Sequence, residues 1–411
     1  MNAAHRQLLG FALILGVGGT ALAADWPQFL GPNRDGVSTE TGLVQSWPKD
    51  GPPVVWQQKI GEGFSGPVVA GERLILFHRV ENNEVVACLD AVTGKERWKC
   101  TYPTSYEDQL GKGDGPRATP VIAGNRVYTL GAEGALHCLE LDTGKKVWER
   151  PLLKDYRVPP SYFGIGSTPL IEGDLVLVNV GDKKAGIVAF HKDSGKEVWR
   201  ATSDGASYAS PTAATIDGTR LGIFFTRQGV VLLDPKTGAV RYQKRWRARY
   251  DASVNAATPL VIGDLVFVST CYETGALLLK VRKDGVDEVW SGDEGMSNHY
   301  NTCVQHKGYL YGFHGRQETG AALRCVELKT GKVRWTEARY GCGSMVLADG
   351  NLIILTEKGD LVLAEATPDA YREKARARVL SGGPIRAQIA LANGRLYARD
   401  GERLVCWNLK K

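Results

Sequence analysis

The stretch Ala91-Val-Thr-Gly-Lys-Glu-Arg-Trp98 returns in altered form as Leu141-Asp-Thr-Gly-Lys-Lys-Val-Trp148, Lys192-Asp-Ser-Gly-Lys-Glu-Val-Trp199 and Leu328-Lys-Thr-Gly-Lys-Val-Arg-Trp335. Taking the closing aromatic of each unit as a marker, Trp98, Trp148, Trp199, Tyr242, Trp290 and Trp335 fall at spacings of 50, 51, 43, 48 and 45. A period of this size fits one four-stranded blade of a β-propeller. The turn has a mechanical logic. Asp or Thr bonds nearby backbone groups, Gly supplies a positive φ, and the aromatic that follows lands on the outer strand, where its ring can cover the gap to a neighbouring blade.

Working outward, each unit opens on a small residue and a Pro before an apolar run: Ser65-Gly-Pro-Val-Val69, Ala118-Thr-Pro-Val-Ile122, Ser167-Thr-Pro-Leu-Ile171, Ala257-Thr-Pro-Leu-Val261. A Gly-centred turn, a β-branched or aromatic strand such as Asn125-Arg-Val-Tyr-Thr129, and a third strand such as Ala135-Leu-His-Cys-Leu139 follow. Past Trp335 a seventh unit opens at Met345, with its third strand over Asp360 to Glu365 and its outer strand near Ala375 to Leu380. An eighth runs from Ala387 to Leu409 and has no outer strand of its own, whereas Val54-Val-Trp-Gln-Gln-Lys59 is an outer strand without a blade. Joining the two closes the ring and removes two exposed edges. The expectation is therefore an all-β, eight-bladed β-propeller of four-stranded antiparallel blades, with strand 54–59 completing the C-terminal blade. Seven blades is the alternative if the irregular seventh unit is misread.

Residues 1–23 carry the pattern of a secretory signal peptide: a polar start with Arg6, a short apolar run over Leu8 to Val17, and Ala21-Leu-Ala23 as a cleavage site before Ala24. No Cys follows that site, so lipid anchoring is not expected, and the mature chain has no second apolar stretch of spanning length. A leading segment, 24–53, and the propeller, 54–411, complete the organisation, in a periplasmic or secreted protein. Its 51 basic and 45 acidic residues are dispersed, which argues against a nucleic-acid partner. The one basic cluster, Lys244-Arg-Trp-Arg-Ala-Arg249, reads as a solvated loop between blades. Of the eight cysteines, Cys88, Cys138, Cys325 and Cys406 recur at one place in the third strand and read as small buried hydrophobes. Cys303 and Cys342, near the starts of consecutive inner strands, are a candidate disulfide at the channel rim.

The Asp-x-Thr-Gly-Lys-x-x-Trp turns with the small-residue-Pro openings resemble the pyrroloquinoline-quinone (PQQ)-like repeat of bacterial β-propellers over essentially the whole mature chain. The start Asp25-Trp-Pro-Gln-Phe-Leu-Gly-Pro-Asn-Arg-Asp-Gly36 resembles the segment that precedes the ring-closing strand in many such proteins. The resemblance implies one of two classes: quinoprotein dehydrogenases, or cofactor-free BamB-like scaffolds of outer-membrane assembly. The dehydrogenases clamp PQQ against a ring of two adjacent bonded cysteines and hold Ca²⁺ beside a catalytic Asp. Here no two cysteines are adjacent, no Cys-x-x-Cys-His haem signature occurs, and no calcium-loop spacing is visible. The BamB-like branch is favoured: a non-catalytic scaffold without cofactor or metal. Its partner would be an envelope or extracellular protein, or a small anionic or carbohydrate-like ligand. The alternative is a divergent PQQ- and Ca²⁺-dependent oxidoreductase acting on alcohols or sugars.

In such a ring the loops from each outer strand into the next inner strand meet at one mouth of the channel. Read in order they contribute Phe64 and Ser65, Arg117, Tyr162 and Phe163, Tyr208, Asn255, His299 and Tyr300, Tyr340, and Arg386, while second-to-third-strand loops add His78, Arg79, His314 and Arg316. Aromatic and Arg side chains around a pocket suit an anionic or carbohydrate-like ligand. Two long inserts, Tyr102 to Pro116 and Pro151 to Gly166, enlarge this face. No nucleophile elbow is present, and His299 with His314 makes an incomplete zinc site. As loop charges, Arg117 and Arg386 are expected to be replaceable by Ala with little cost to folding.

Overall fold

The computed structural model describes residues 24–111, 113–159 and 162–411; the signal-peptide reading lies outside these. Eight four-stranded antiparallel sheets succeed one another as the blades of a propeller. In the first blade Val68–Ala70, Arg73–Val80, Asn83–Asp90 and Glu96–Pro103 run from the channel outward. The last blade takes Ala390–Ala392, Arg395–Arg399 and Arg403–Asn408 from the C-terminus and borrows Val54–Lys59 as its outer strand, with Trp56 opposite Cys406. The seventh unit is a full blade, with Asp360–Glu365 as its third strand and Glu373–Arg378 as its outer one.

The apolar cores lie between blades. Val68, Ile75, Phe77 and Val86 of the first blade pack on Ile122, Val127 and Leu139 of the second, and the pattern repeats around the ring. The turn aligns each sheet on the next. Asp90 Oδ1 accepts from the backbone N–H of Val92 at 3.0 Å and of Thr93 at 2.8 Å, which pins the turn. Gly195, at φ +65°, brings its backbone so close to the preceding blade that an added Cβ would lie 2.7 Å from the ring of Trp148. The same indole donates from Nε1 to the Lys192 carbonyl at 2.8 Å. Trp56, Trp98, Trp199 and Trp290 make the same donation to the next turn at 3.1, 2.9, 3.2 and 2.8 Å. Glycine is required there because any side chain would occupy the space of the indole.

Some seams depart from this pattern. The fifth blade closes its outer hairpin at Gly285, which has nothing within 4 Å of an added Cβ, and there the preceding blade carries Tyr242 instead of Trp. The seventh blade lacks the turn glycine, and Trp335 instead donates to the Thr367 carbonyl at 2.9 Å and meets Tyr371 at 5.8 Å between ring centroids.

All eight cysteines are free thiols. The four recurrent ones are buried, and Cys88, Cys138, Cys325 and Cys406 each stand opposite an outer-strand Trp. Burial pushes the Cys88 thiol up to about 11. The candidate Cys303–Cys342 bridge is not formed. Cys303 packs between the fifth and sixth blades and lies 3.0 Å from Asn298 Oδ1, whereas Cys342 packs between the sixth and seventh. Trp246 of the basic cluster also packs inward, donating to the Gly275 carbonyl at 3.2 Å, and Lys244 pairs with Glu288 at 2.8 Å.

Trp148→Ala is expected to cost about 3–5 kcal/mol through the cavity left between blades, and Tyr242→Ala distinctly less, as read from denaturant unfolding midpoints. Equal losses would show that stacking on the turn glycine does not set the contribution. A second expectation concerns Glu84, which is 2% exposed at the seam of the first two blades and accepts from the Ala132 N–H at 3.0 Å. Burial, opposed by that hydrogen bond, pushes its carboxyl up to about 7. Between about 4.5, its ordinary value, and 7 the folded state therefore holds a proton that the unfolded state has released. Its contribution to stability falls across that window as pH rises. Glu84→Gln should raise the melting temperature at pH 8 more than at pH 4.5; an equal shift at both values would refute the assignment.

Candidate functional site

The leading segment does more than precede the closing strand: it crosses the channel. Asp25 accepts from the Gly71 N–H at 2.8 Å, Trp26 pairs with Val69, and the Pro27 carbonyl accepts from Ile122 N–H at 2.8 Å, all at the end of the ring that carries the Thr-Gly turns. On the far side Gly36 and Ser38 exchange backbone hydrogen bonds with Leu347 at 2.9 Å each. In between, Arg34 is 2% exposed and donates to the carbonyls of Pro169 and Pro211, the latter at 2.7 Å. Among the described residues no carboxylate is a hydrogen-bond partner of Arg34, and burial holds the guanidinium down at about 9. Phe29 of this crossing faces the opposite mouth and forms the inner end of a cavity of about 340 Å³.

The walls come from the loops that enter the inner strands. Arg117, Tyr208, His299, Tyr300 and Arg386 border the cavity, as do Phe64, Phe163 and, from a second-to-third-strand loop, Arg316. Seven expected residues do not, among them Ser65, which is buried at 0% exposure. Tyr162 is 54% exposed on the outer rim. Asn255 is buried and donates to the carbonyls of Thr226 at 2.9 Å and Trp246 at 3.2 Å, which fastens its loop. Tyr340 sits between blades with Phe313 and Tyr371. His314 turns away to accept from the Ser297 N–H at 3.1 Å, and His78 does the same for Gly61 at 2.9 Å, so both histidines tie a loop to the second strand of its blade. Burial holds each of them down at about 4. Arg79 likewise serves the first insert, donating to the carbonyls of Tyr106 and Asp114.

Sequence reasoning missed Phe29, Tyr272, Gln317 and Glu318, which border the cavity, and Asp108 and Glu357, which hold its arginines. Tyr272 and Gln317 bracket His299. The Gln317 amide nitrogen donates to Glu318 at 2.9 Å, which turns its oxygen to within 2.6 Å of His299 Nδ1. The Tyr272 hydroxyl lies 2.7 Å from Nε2. Burial lowers the imidazole's affinity for a proton, so a neutral ring donates from Nδ1 and accepts at Nε2.

The arginines differ in what they have left to offer. Arg117 is paired with Asp108, whose side chain is 0% exposed, and it also donates to the carbonyls of Gly113 and Gly115. Its planar head lies over Phe64 and Tyr106, 5.6 and 5.0 Å from their centroids. It is the clasp of the first insert, and both of its terminal nitrogens are engaged. Among the described residues Arg386 spends only Nε, on Glu357 at 2.8 Å, and it stacks over Phe64 and Tyr300. The Tyr300 hydroxyl donates to the same carboxylate at 2.6 Å; burial, reinforced by Glu357, holds that phenol well above its ordinary value. Arg316 spends Nε on Glu318 at 3.2 Å and lies over Tyr272.

A family model described as "Outer membrane protein assembly factor BamB" matches residues 82–337, more than half of the chain. The outer membrane protein assembly factor BamB of Burkholderia pseudomallei is 31% identical over 140 residues, which are 34% of this chain and 32% of that protein. The match thus spans about a third of that relative's length. Among solved structures, a quinohemoprotein alcohol dehydrogenase from Comamonas testosteroni superposes with a TM-score of 0.68 at 14% identity, over 94% of this chain and 80% of that one. BamB from Moraxella catarrhalis superposes with a TM-score of 0.62 at 16% identity, over 87% and 97%. At such identities the likeness is one of fold.

The expectation that Arg117 can be lost cheaply is overturned by its buried partner. Arg117→Ala should destabilise by a few kcal/mol, because a carboxylate is left buried and unpaired. Limited proteolysis should then cut within 104–116; a variant as resistant and as stable as the parent would contradict the clasp.

Proposed function

Because the chain belongs to the family described as outer membrane protein assembly factor BamB, we propose that it is a non-catalytic scaffold of the cell envelope. In this reading its channel-mouth face docks a protein of outer-membrane assembly. The observation that carries it is the placement of exposed apolar side chains. Leu110, Tyr162 and Tyr250 are each 54% exposed, and each stands on a loop that also lends a residue to the cavity wall. A rigid ring that holds large apolar side chains in water on inserted loops has the composition of an interaction surface. No helix among the described residues is long and apolar enough to cross a membrane.

Conversion of an alcohol by a bound quinone is the competing reading, and the donor set supports it poorly. Ca²⁺ needs several oxygen ligands. Asp108, Glu357 and Glu318, the carboxylates at or behind the cavity wall, are each engaged by an arginine. The cavity is bordered by aromatic, polar and arginine side chains rather than by cysteine.

A photo-crosslinking residue placed at Tyr162 or Tyr250 should, in intact envelopes, give one dominant adduct that mass spectrometry identifies as an outer-membrane assembly component. The same residue at Val92, on a Thr-Gly turn at the other end of the ring, should not. Adducts from Val92 alone would sink the proposal. So would stoichiometric binding of PQQ with Ca²⁺ followed by dye reduction with alcohols.

A further inference from the structure

Residues on the cavity wall carry polar atoms that no described residue partners, and they are of complementary kinds. Asn301 is 7% exposed and borders the cavity; its Nδ2 donates to the Gly343 carbonyl, which fixes Oδ1 as the other atom, and Oδ1 is buried with no hydrogen-bond partner. Ser344, 5% exposed and also on the cavity wall, has its Oγ buried and equally unpartnered. A buried acceptor of this sort calls for a hydroxyl or an N–H from whatever fills the space. The arginines supply the opposite need. Among the described residues, Arg386 and Arg316 use only Nε for hydrogen bonding, and the remaining N–H groups of two planar forks are left for an acceptor in the cavity. Such forks match a carboxylate.

The apolar surfaces narrow the choice further. Phe64, Phe163, Tyr208 and Tyr300 stand around the cavity and Phe29 closes it, so a flat body bearing C–H groups can lie against rings on several sides. About 340 Å³ is enough for a small cyclic molecule and too little for a folded segment of another protein. A purely apolar acid would leave Asn301 Oδ1 and Ser344 Oγ unsatisfied. A neutral sugar would leave the two arginine forks without a charged acceptor.

We propose that the channel mouth binds an acidic monosaccharide, with its carboxylate between Arg386 and Arg316 and its ring hydroxyls at Asn301 and Ser344. The neutral His299 and the hydroxyl of Tyr272, already bonded to each other, form part of the surrounding wall and need not change protonation. Glu318 lies next to Arg316 but is itself bonded by Arg316 and by Gln317, so its charge is occupied before the ligand arrives.

Isothermal titration of the purified chain with glucuronate and galacturonate tests this. At least one should bind with a stoichiometry of one. Glucuronamide, which keeps the hydroxyls and loses the charge, and glucose should each bind at least tenfold more weakly than the better uronate. Arg316→Gln, at a half-exposed position, should weaken the uronate at least tenfold with an unchanged melting temperature, and Ser344→Ala should narrow the gap between the uronate and 3-phenylpropionate. Equal binding of uronate and amide, unaltered uronate affinity in Arg316→Gln, or no uronate binding at all would overturn the proposal. None of these outcomes bears on docking at the outer rim, which crosslinks at Tyr162 and Tyr250 report separately.

Discussion

The contact between a tryptophan on one blade and a turn glycine on the next governs this structure. A four-stranded sheet standing alone has two apolar faces and nowhere to bury them, so the cores form between sheets and the spacing of sheets becomes the controlling variable. An indole wedged against a bare Cα sets that spacing, and its N–H, donated to a carbonyl of the same turn, sets the rotation. Tyr242 faces the blade without the turn, whereas at the seam where only the glycine is missing Trp335 is kept and Tyr371 supports it. In the seventh blade the corresponding outer-strand position is Ala375, and Trp47 of the leading segment packs into the same core.

This is why the architecture was legible in the sequence. A repeat that reproduces one contact at five of its seams writes its period into the chain, and the missing outer strand at one end could be matched to the spare strand at the other. The site was legible only in part. Loop order indicates which residues approach the channel mouth, and Arg117, Tyr208, His299, Tyr300, Arg316 and Arg386 border the cavity there. It does not indicate which way a side chain turns once its loop is tied down. Asn255 and His314 were taken up by backbone groups of their own neighbourhood, and Tyr340 by a seam between blades. Phe29 carried no signal, because it reaches the cavity by a crossing whose partners lie from about forty to more than three hundred residues away.

The electrostatics of the mouth explain how an arginine-rich cavity is kept stable. Each guanidinium is stacked on at least one aromatic ring and has a carboxylate partner, which spreads and offsets the charge without closing the space. The division of roles follows from how many N–H groups each pairing consumes. Arg117 is bound on several sides and acts as structure, whereas Arg386 and Arg316 keep an edge turned to the cavity. Sequence could supply the residue type, but the distinction depends on a buried Asp108 and a distant Glu357.

The segment that crosses the channel also changes what kind of object the repeat array is. An open stack of repeats is held by nearest neighbours, and its ends can fray one unit at a time. Here one stretch is bonded to blades one, two, three, four and seven, and Glu40 beyond it reaches Gly394 of the eighth. The stretch precedes in the chain every blade it joins, so its contacts are complete only once the seventh and eighth exist, and it then acts as a tie-rod across the ring. A local opening in any of those blades is felt by the others through this shared member, so a quasi-linear array gains the all-or-none cooperativity of a single compact domain.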